Sequence, residues 1–450
     1  MWIYTTLLFS FLISCPLFAS VSINEIEGRF AERFGSEIFL LAKKAEMFPK
    51  EEFINEENIN KLIEEIEHQY FSLLYLYYRT EIAKLLEKVE YPSLQSWKQL
   101  IGKIHFLPVT LESMSLYFVI FKSLKLIAHF PSLRHSNYSN YQITMLEKMF
   151  IELENMRAID EYPKAASYEH VRFVGELVFK HQINRAKEIG CYELACMLGL
   201  DEVFVPSEYV FFTNRKGLIQ PFIASSIPWT KRFWFTTYRW IEYSNYLFCA
   251  LGVLLFALED MHPGNMYYVP IKNGYFQSGF FDCVGSFTCM HFHEFNGKGY
   301  RVLFTPYAWI GFDYPQYQYP FNVSDKEKLT SFAKKWINLR SEISAYMNHG
   351  LCEMFLSNHE KREMINRFDH MIHIILNENP STVEYLHLAF SPEYKIVREK
   401  LCEFFPQHQP MYTLFKLIWR PEYTLEKLNE KRREEFLNWI ANFLQYLQTK

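Results

Sequence analysis

No Cys-x-x-Cys pair, no apolar run long enough to cross a bilayer, no repeat of solenoid period and no low-complexity tract occurs in this sequence. The first absence removes the common zinc modules and the second a transmembrane helix. The last two remove repeat arrays and disordered linkers. An excess of one charge sign is missing as well. A net charge of −4 leaves no electrostatic footprint for nucleic acid, so none is expected as a partner. Glycine is scarce at 16 residues, and the 49% of hydrophobic residues are too evenly mixed with polar ones for a disordered chain. What remains is a folded, enzyme-sized protein of 450 residues, room for roughly two or three domains.

The eight cysteines, Cys15, Cys191, Cys196, Cys249, Cys283, Cys289, Cys352 and Cys402, are scattered through mostly apolar segments. That is no disulfide framework, and it suits a reducing compartment. The N-terminus points elsewhere. Thr5 to Ala19 is an apolar stretch ending in the small pair Ala19-Ser20, so residues 1–20 are expected to be a signal sequence. Met1-Trp2-Ile3-Tyr4 carries no Lys or Arg, and the alternative is a buried first helix. Leu12-Ile13-Ser14-Cys15 has the form of a lipoprotein box, but Pro16 follows it.

Residues 23–155 read as helical. Ile59 to Ile66, Tyr75 to Val89, Leu111 to His129 and Ile143 to Met156 have helical apolar spacing. Breaks are expected at Pro92, Pro108 and Pro131-Ser132, the last opening a polar segment through Tyr141. Residues 156–225 read as mixed strands and a helix, and residues 226–450 as mostly helical around a hairpin. The alternation His291-Phe292-His293-Glu294 offers metal ligands on one strand face, but a polar strand face is the plainer reading.

The densest chemistry lies in Glu259-Asp260-Met261-His262-Pro263-Gly264-Asn265 and, downstream, Phe280-Phe281-Asp282-Cys283-Val284-Gly285. One carboxylate can meet an attacking hydroxyl, while a carboxamide oxygen and a second carboxylate hold magnesium on nucleotide phosphates. Between them, Asn273-Gly274 separates aromatic, β-prone runs, the strongest short-range hairpin signal. Such a hairpin returns Asp282 beside Asn265. The apolar run Tyr246 to Leu258 reads as a buried helix leading in. Asp-x-His-x-x-Asn alone is ordinary turn chemistry. Its order relative to the other motifs carries the reading.

The pattern resembles the phosphatidylinositol 3-/4-kinase-like group of the kinase-like superfamily, which includes actin-fragmin kinase and HipA-type kinases. Upstream, Gly175-Glu176-Leu177-Val178-Phe179-Lys180 resembles the strand that ends in the nucleotide-binding lysine. Arg185 to Leu200 followed by Val205-Pro206 looks like the family's helix, Leu-Gly turn and Val-Pro strand. Leu218-Ile219-Gln220-Pro221-Phe222-Ile223 resembles the hinge strand at the adenine. The resemblance covers roughly residues 160–340. It implies an α+β, kinase-like bilobal fold: a small lobe at 156–225 and a large lobe at 226–450, behind a helical domain at 23–155.

The same resemblance implies an ATP- and Mg2+-dependent phosphotransferase acting on a protein or lipid hydroxyl. Asp260 is its catalytic carboxylate and His262 a structural or transition-state support. Lys180, Glu188, Ser167 and Gln220 hold the nucleotide, with Glu193 the fallback partner for Lys180. Asn265 and Asp282 are the metal ligands. Two departures favour a different class, a pseudokinase acting as an interaction scaffold. Gly285 stands one place late after Asp282, and Lys164-Ala165-Ala166-Ser167 lacks a phosphate-loop glycine pattern. AMP transfer uses the same residue types. A kinase with a signal sequence and reduced thiols fits a secreted protein delivered into a host cytosol, where ATP is plentiful; the alternative is a cytoplasmic protein.

Overall fold

The computed structural model describes residues 20–34, 36–48, 53–88, 93–164, 170–181, 186–213, 215–223, 245–258, 266–270, 276–280, 291–295, 300–304, 320–348, 356–390, 392–407 and 424–449, with the single residues 283, 413 and 417. The fold is α+β: among the described residues helices predominate, with a four-stranded antiparallel sheet and three two-stranded ones. Among the described residues no helix is long and apolar enough to cross a membrane.

The chain forms two compact units, one within Met1–Glu90 and Ile101–Leu124, the other within Tyr91–Leu100 and Lys125–Lys450. In the first unit β1 (Ser20–Ser22) pairs antiparallel with β2 (Phe53–Asn55). Three helices, α1 (Ile23–Phe34), α2 (Ser36–Lys44) and α3 (Glu56–Lys88), surround a core of Phe30, Ala42, Ile66 and Tyr70. The two amphipathic stretches expected at Ile59 and Tyr75 are one continuous helix, because nothing between them breaks it. Tyr75 ties α3 to the segment after α4 (Leu94–Ile104), its hydroxyl 2.7 Å from His105 Nδ1.

Helix α5 (Leu111–His129) has the bounds its apolar spacing predicts. The polar segment expected after it is helical. Pro131 opens the short α6 (Pro131–Arg134), where its missing N–H costs nothing, and α7 (Tyr138–Glu154) follows. Helix α7 belongs to the second unit. Gln142 donates to Glu208 at 3.1 Å, and Ser139 accepts from the Trp97 indole at 2.7 Å.

The four-stranded sheet has the order β3 (Val171–Val174), β4 (Leu177–Lys180), β6 (Arg215–Pro221), β5 (Glu208–Phe212). Gly175, at φ +57°, opens the two-residue turn between β3 and β4, a conformation costly for a residue with a Cβ. Helix α8 (Ala186–Leu198) lies between the two hairpins in sequence and ends at Gly199, φ +76°. There Leu200 N–H donates to Ala195 O and Gly199 N–H to Cys196 O, the paired bonds of a Schellman stop.

Beyond the sheet, α9 (Tyr246–Phe256) is buried along nearly its whole length, as its apolar run predicts. The Asn-Gly signal is a hairpin: β7 (Met266–Pro270) pairs with β8 (Phe276–Phe280), Met266 opposite Phe280. A second hairpin joins β9 (His291–Phe295) and β10 (Tyr300–Phe304), setting His291 opposite Phe304 and His293 opposite Val302. Among the described residues, helices α10 (Val323–Met347), α11 (Asn358–His373), α12 (Val383–Phe390), α13 (Pro392–Phe404) and α14 (Glu430–Thr449) follow.

Candidate functional site

Strand alternation assigns the two faces of the sheet. Register pairs Lys180 with Leu218 and Val178 with Gln220, so these four side chains share one face. Phe179 and Ile219 pair on the other, where Glu208, Val210 and Phe212 also fall. That second face is mostly apolar, with the buried Glu208 carboxylate held by Gln142. The first carries two polar groups, Lys180 and Gln220, each only 4% exposed.

Lys180 meets Glu188 across the face. Its Nζ stands 3.0 Å from Glu188 Oε2, and their side chains are 5% and 1% exposed. A buried ion pair of this kind needs further donors on the carboxylate to offset desolvation. One is Gln220, whose Nε2 donates to the same oxygen at 3.0 Å. The second amide hydrogen goes to Ser207 Oγ at 2.8 Å, and the Ser207 hydroxyl donates to Val205 O at 3.0 Å. Ser207 was not singled out from the sequence. Thirteen residues separate it from Gln220, and only the register of the β5–β6 hairpin, Glu208 opposite Ile219, brings the two together.

The helix that presents Glu188 is held at both ends. At its start Lys187 reaches Glu360 at 2.6 Å. Burial pushes the Glu360 carboxyl up, but donors from Lys187 and Ser357 outweigh it and hold it below its ordinary value. At its end the Trp336 indole donates to Leu198 O at 3.0 Å. Glu193, the fallback partner for Lys180, is engaged elsewhere: it is fully buried and accepts from the hydroxyls of Tyr138, at 3.4 Å, and Tyr346.

Past Lys180 the charge pattern changes. Burial, with Arg215 and His170 close by, holds the His181 imidazole below its ordinary pKa despite the Asp160 carboxylate. Neutral His181 lies 3.2 Å from the Arg215 guanidinium, and Asp160 bridges Arg215 and Arg172 at 3.5 and 3.6 Å.

The β7–β8 hairpin is fastened next to this sheet. Val205 N–H donates to Phe280 O at 3.2 Å, and the Phe204 ring packs against Phe256 and Phe280. Asp260, His262, Asn265, Asp282 and Ser167 lie outside the described residues. Phe280 and Cys283, which bracket Asp282 in sequence, are both buried. Among the described residues no group of His, Cys, Asp and Glu side chains could hold a metal ion.

A cavity of about 480 Å³ opens at the far end of α8 and is separate from the Lys180 pair. Its acidic lining groups serve as local ties. Asp201 accepts from Asn137 at 3.1 Å, and Glu342 accepts from the Ser132 backbone at 2.9 Å.

No known protein-family model matches this chain, and no curated protein does.

Proposed function

We propose that this chain is an ATP- and magnesium-dependent phosphotransferase of the phosphatidylinositol 3-/4-kinase-like type, with a bilobal catalytic region behind a helical one. One observation carries the reading: the buried Lys180–Glu188 pair, joining a strand end to the following helix. Phosphoryl transfer asks the protein mainly for positioning and charge neutralisation. A lysine fixed by a glutamate supplies a point charge for the α- and β-phosphates without the entropy of a free side chain. The element order supports it too: a four-stranded antiparallel sheet interrupted by a helix, then a buried helix, then a hairpin.

In this reading Asp260 orients the acceptor hydroxyl, and His262 supports the loop. Asn265 and Asp282 offer the hard oxygen donors that suit Mg2+. Ser167 and backbone amides cover the phosphates, and the acceptor is a protein or lipid hydroxyl. The decisive experiment is a thermal shift with magnesium-ATP on the full chain, against Lys180→Ala and Asp282→Ala. The wild type is expected to melt higher with nucleotide and both variants to lose that increment. No shift in the wild type rejects the reading and leaves the interaction-scaffold alternative, which the missing glycine pattern at Lys164 to Ser167 favours.

A further inference from the structure

We infer that Gln220 and Ser207 are positioning residues: a relay that fixes Glu188 against Lys180 and ties the pair to the strand leading to Asp282. The inference rests on the phosphotransferase reading for its consequence, and on hydrogen bonding for its substance. Glu188 Oε2 receives Lys180 Nζ and Gln220 Nε2, both at 3.0 Å. A carboxylate only accepts, so Gln220 presents its NH2 side, and both hydrogens are used, one on Glu188 and one on Ser207 Oγ. The Ser207 hydroxyl hydrogen goes to Val205 O, so its oxygen must accept from Gln220. Every donor and acceptor role in the series is therefore fixed by its neighbours. Val205 then donates its own N–H to Phe280 O, at the end of β8 and two residues before Asp282.

The arrangement has a use that the ion pair alone lacks. A lysine that serves phosphates must share its charge with them, and Glu188 then loses part of its counter-ion. A neutral donor on the same oxygen keeps the carboxylate in place at that moment. Gln220 is suited to this by burial, at 4% exposed, with Ser207 at 1% and Glu188 at 3%. The competing assignment points the Gln220 amide at the nucleotide base. Its NH2 group is already spent on Glu188 and Ser207.

The test uses the full chain with Gln220→Met, which keeps length and removes the donors, and Ser207→Ala, which removes only the second link. The acylation rate of Lys180 by an amine-reactive ester is followed by peptide mass spectrometry, with exposed Lys334 as the internal control for an intact fold. Magnesium-ATP and magnesium-GTP affinities are measured in parallel. Expected is an increase of roughly tenfold in Lys180 acylation for Gln220→Met, the scale of one lost hydrogen bond to a charged group. A smaller increase in the same direction is expected for Ser207→Ala. Lys334 should be unchanged and the ratio of ATP to GTP affinity preserved. Unchanged Lys180 acylation in both variants overturns the relay, as does a changed ATP-to-GTP ratio in Gln220→Met. If the wild type binds neither nucleotide, the phosphotransferase reading fails by itself, and the acylation rates still decide the relay.

Discussion

Lys180 and Glu188 are eight residues apart, and their side chains meet at 3.0 Å with almost no exposure to water. Removing either partner deprives the other of a buried counter-charge. Lys180→Met is therefore expected to cost about 3 kcal/mol of folding stability, besides abolishing magnesium-ATP binding. Urea denaturation with and without nucleotide measures both. A fully stable variant with wild-type affinity contradicts the pairing.

Glu193 separates the two candidate glutamates. It accepts from two tyrosine hydroxyls and is expected to serve packing alone. Tyr346→Phe should lower stability by about 1–3 kcal/mol, the cost of leaving a buried acceptor short of a donor. It should leave nucleotide affinity unchanged, whereas Glu188→Gln should weaken it. Calorimetric titration of the two variants distinguishes them.

Gly217 is required by the ring beside it. A Cβ at this position collides with the Phe179 ring and meets Lys180 O at 3.0 Å, and neither a core ring nor backbone yields cheaply. Gly217→Ala is expected to cost about 1–3 kcal/mol through overpacking. Because the displaced atoms adjoin Lys180, nucleotide affinity should fall too. Melting temperature and titration check the two effects.

His387 makes stability depend on pH. It is buried, and that burial, aided by Arg398, pushes its pKa from 6.5 down to about 3. Between those two values the unfolded chain holds a proton that the folded one refuses. Stability contributed by the neutral ring is thus present above 6.5 and is lost as pH falls toward 3. His181, also depressed, acts in the same direction. His387→Leu is expected to flatten the fall in melting temperature between about pH 7 and pH 4.5. An unchanged slope excludes His387 as its source.

For turnover, Asp260→Ala is expected to abolish transfer while keeping nucleotide affinity within about twofold, since a residue acting on the acceptor contributes mainly in the transition state. Asn265→Ala should instead raise the magnesium requirement. Comparing kcat, KM and metal dependence of the two variants, with a generic acceptor, tests the division of roles.

Periodicity and turn chemistry determined much of the local structure. Leu111 to His129 is a helix because its apolar residues recur at helical spacing and Pro108 and Pro131 bound it. Asn273-Gly274 announced the β7–β8 pairing, and the Leu198-Gly199 stop is written in the residue type that adopts a positive φ at least cost. Pro131 misled. The same residue that breaks a helix interior also starts a helix, and only the packing of α6 and α7 decides between them. The packing partner of α7 was likewise beyond local signals, because it joins the sheet through Gln142 and Glu208, 66 residues apart.

The candidate site divides in the same way. A lysine ending a β-run and a glutamate early in the next helix are visible as a motif, through resemblance and not through spacing, which cannot show that two side chains touch. That Glu188 and not Glu193 takes Lys180 was settled by which side of α8 faces the sheet. The place of Ser207 was settled by strand register. Sequence determines which elements can form, since those forces act between near neighbours. The third dimension decides which polar groups are buried together, because a buried donor must find its acceptor wherever the fold brings one.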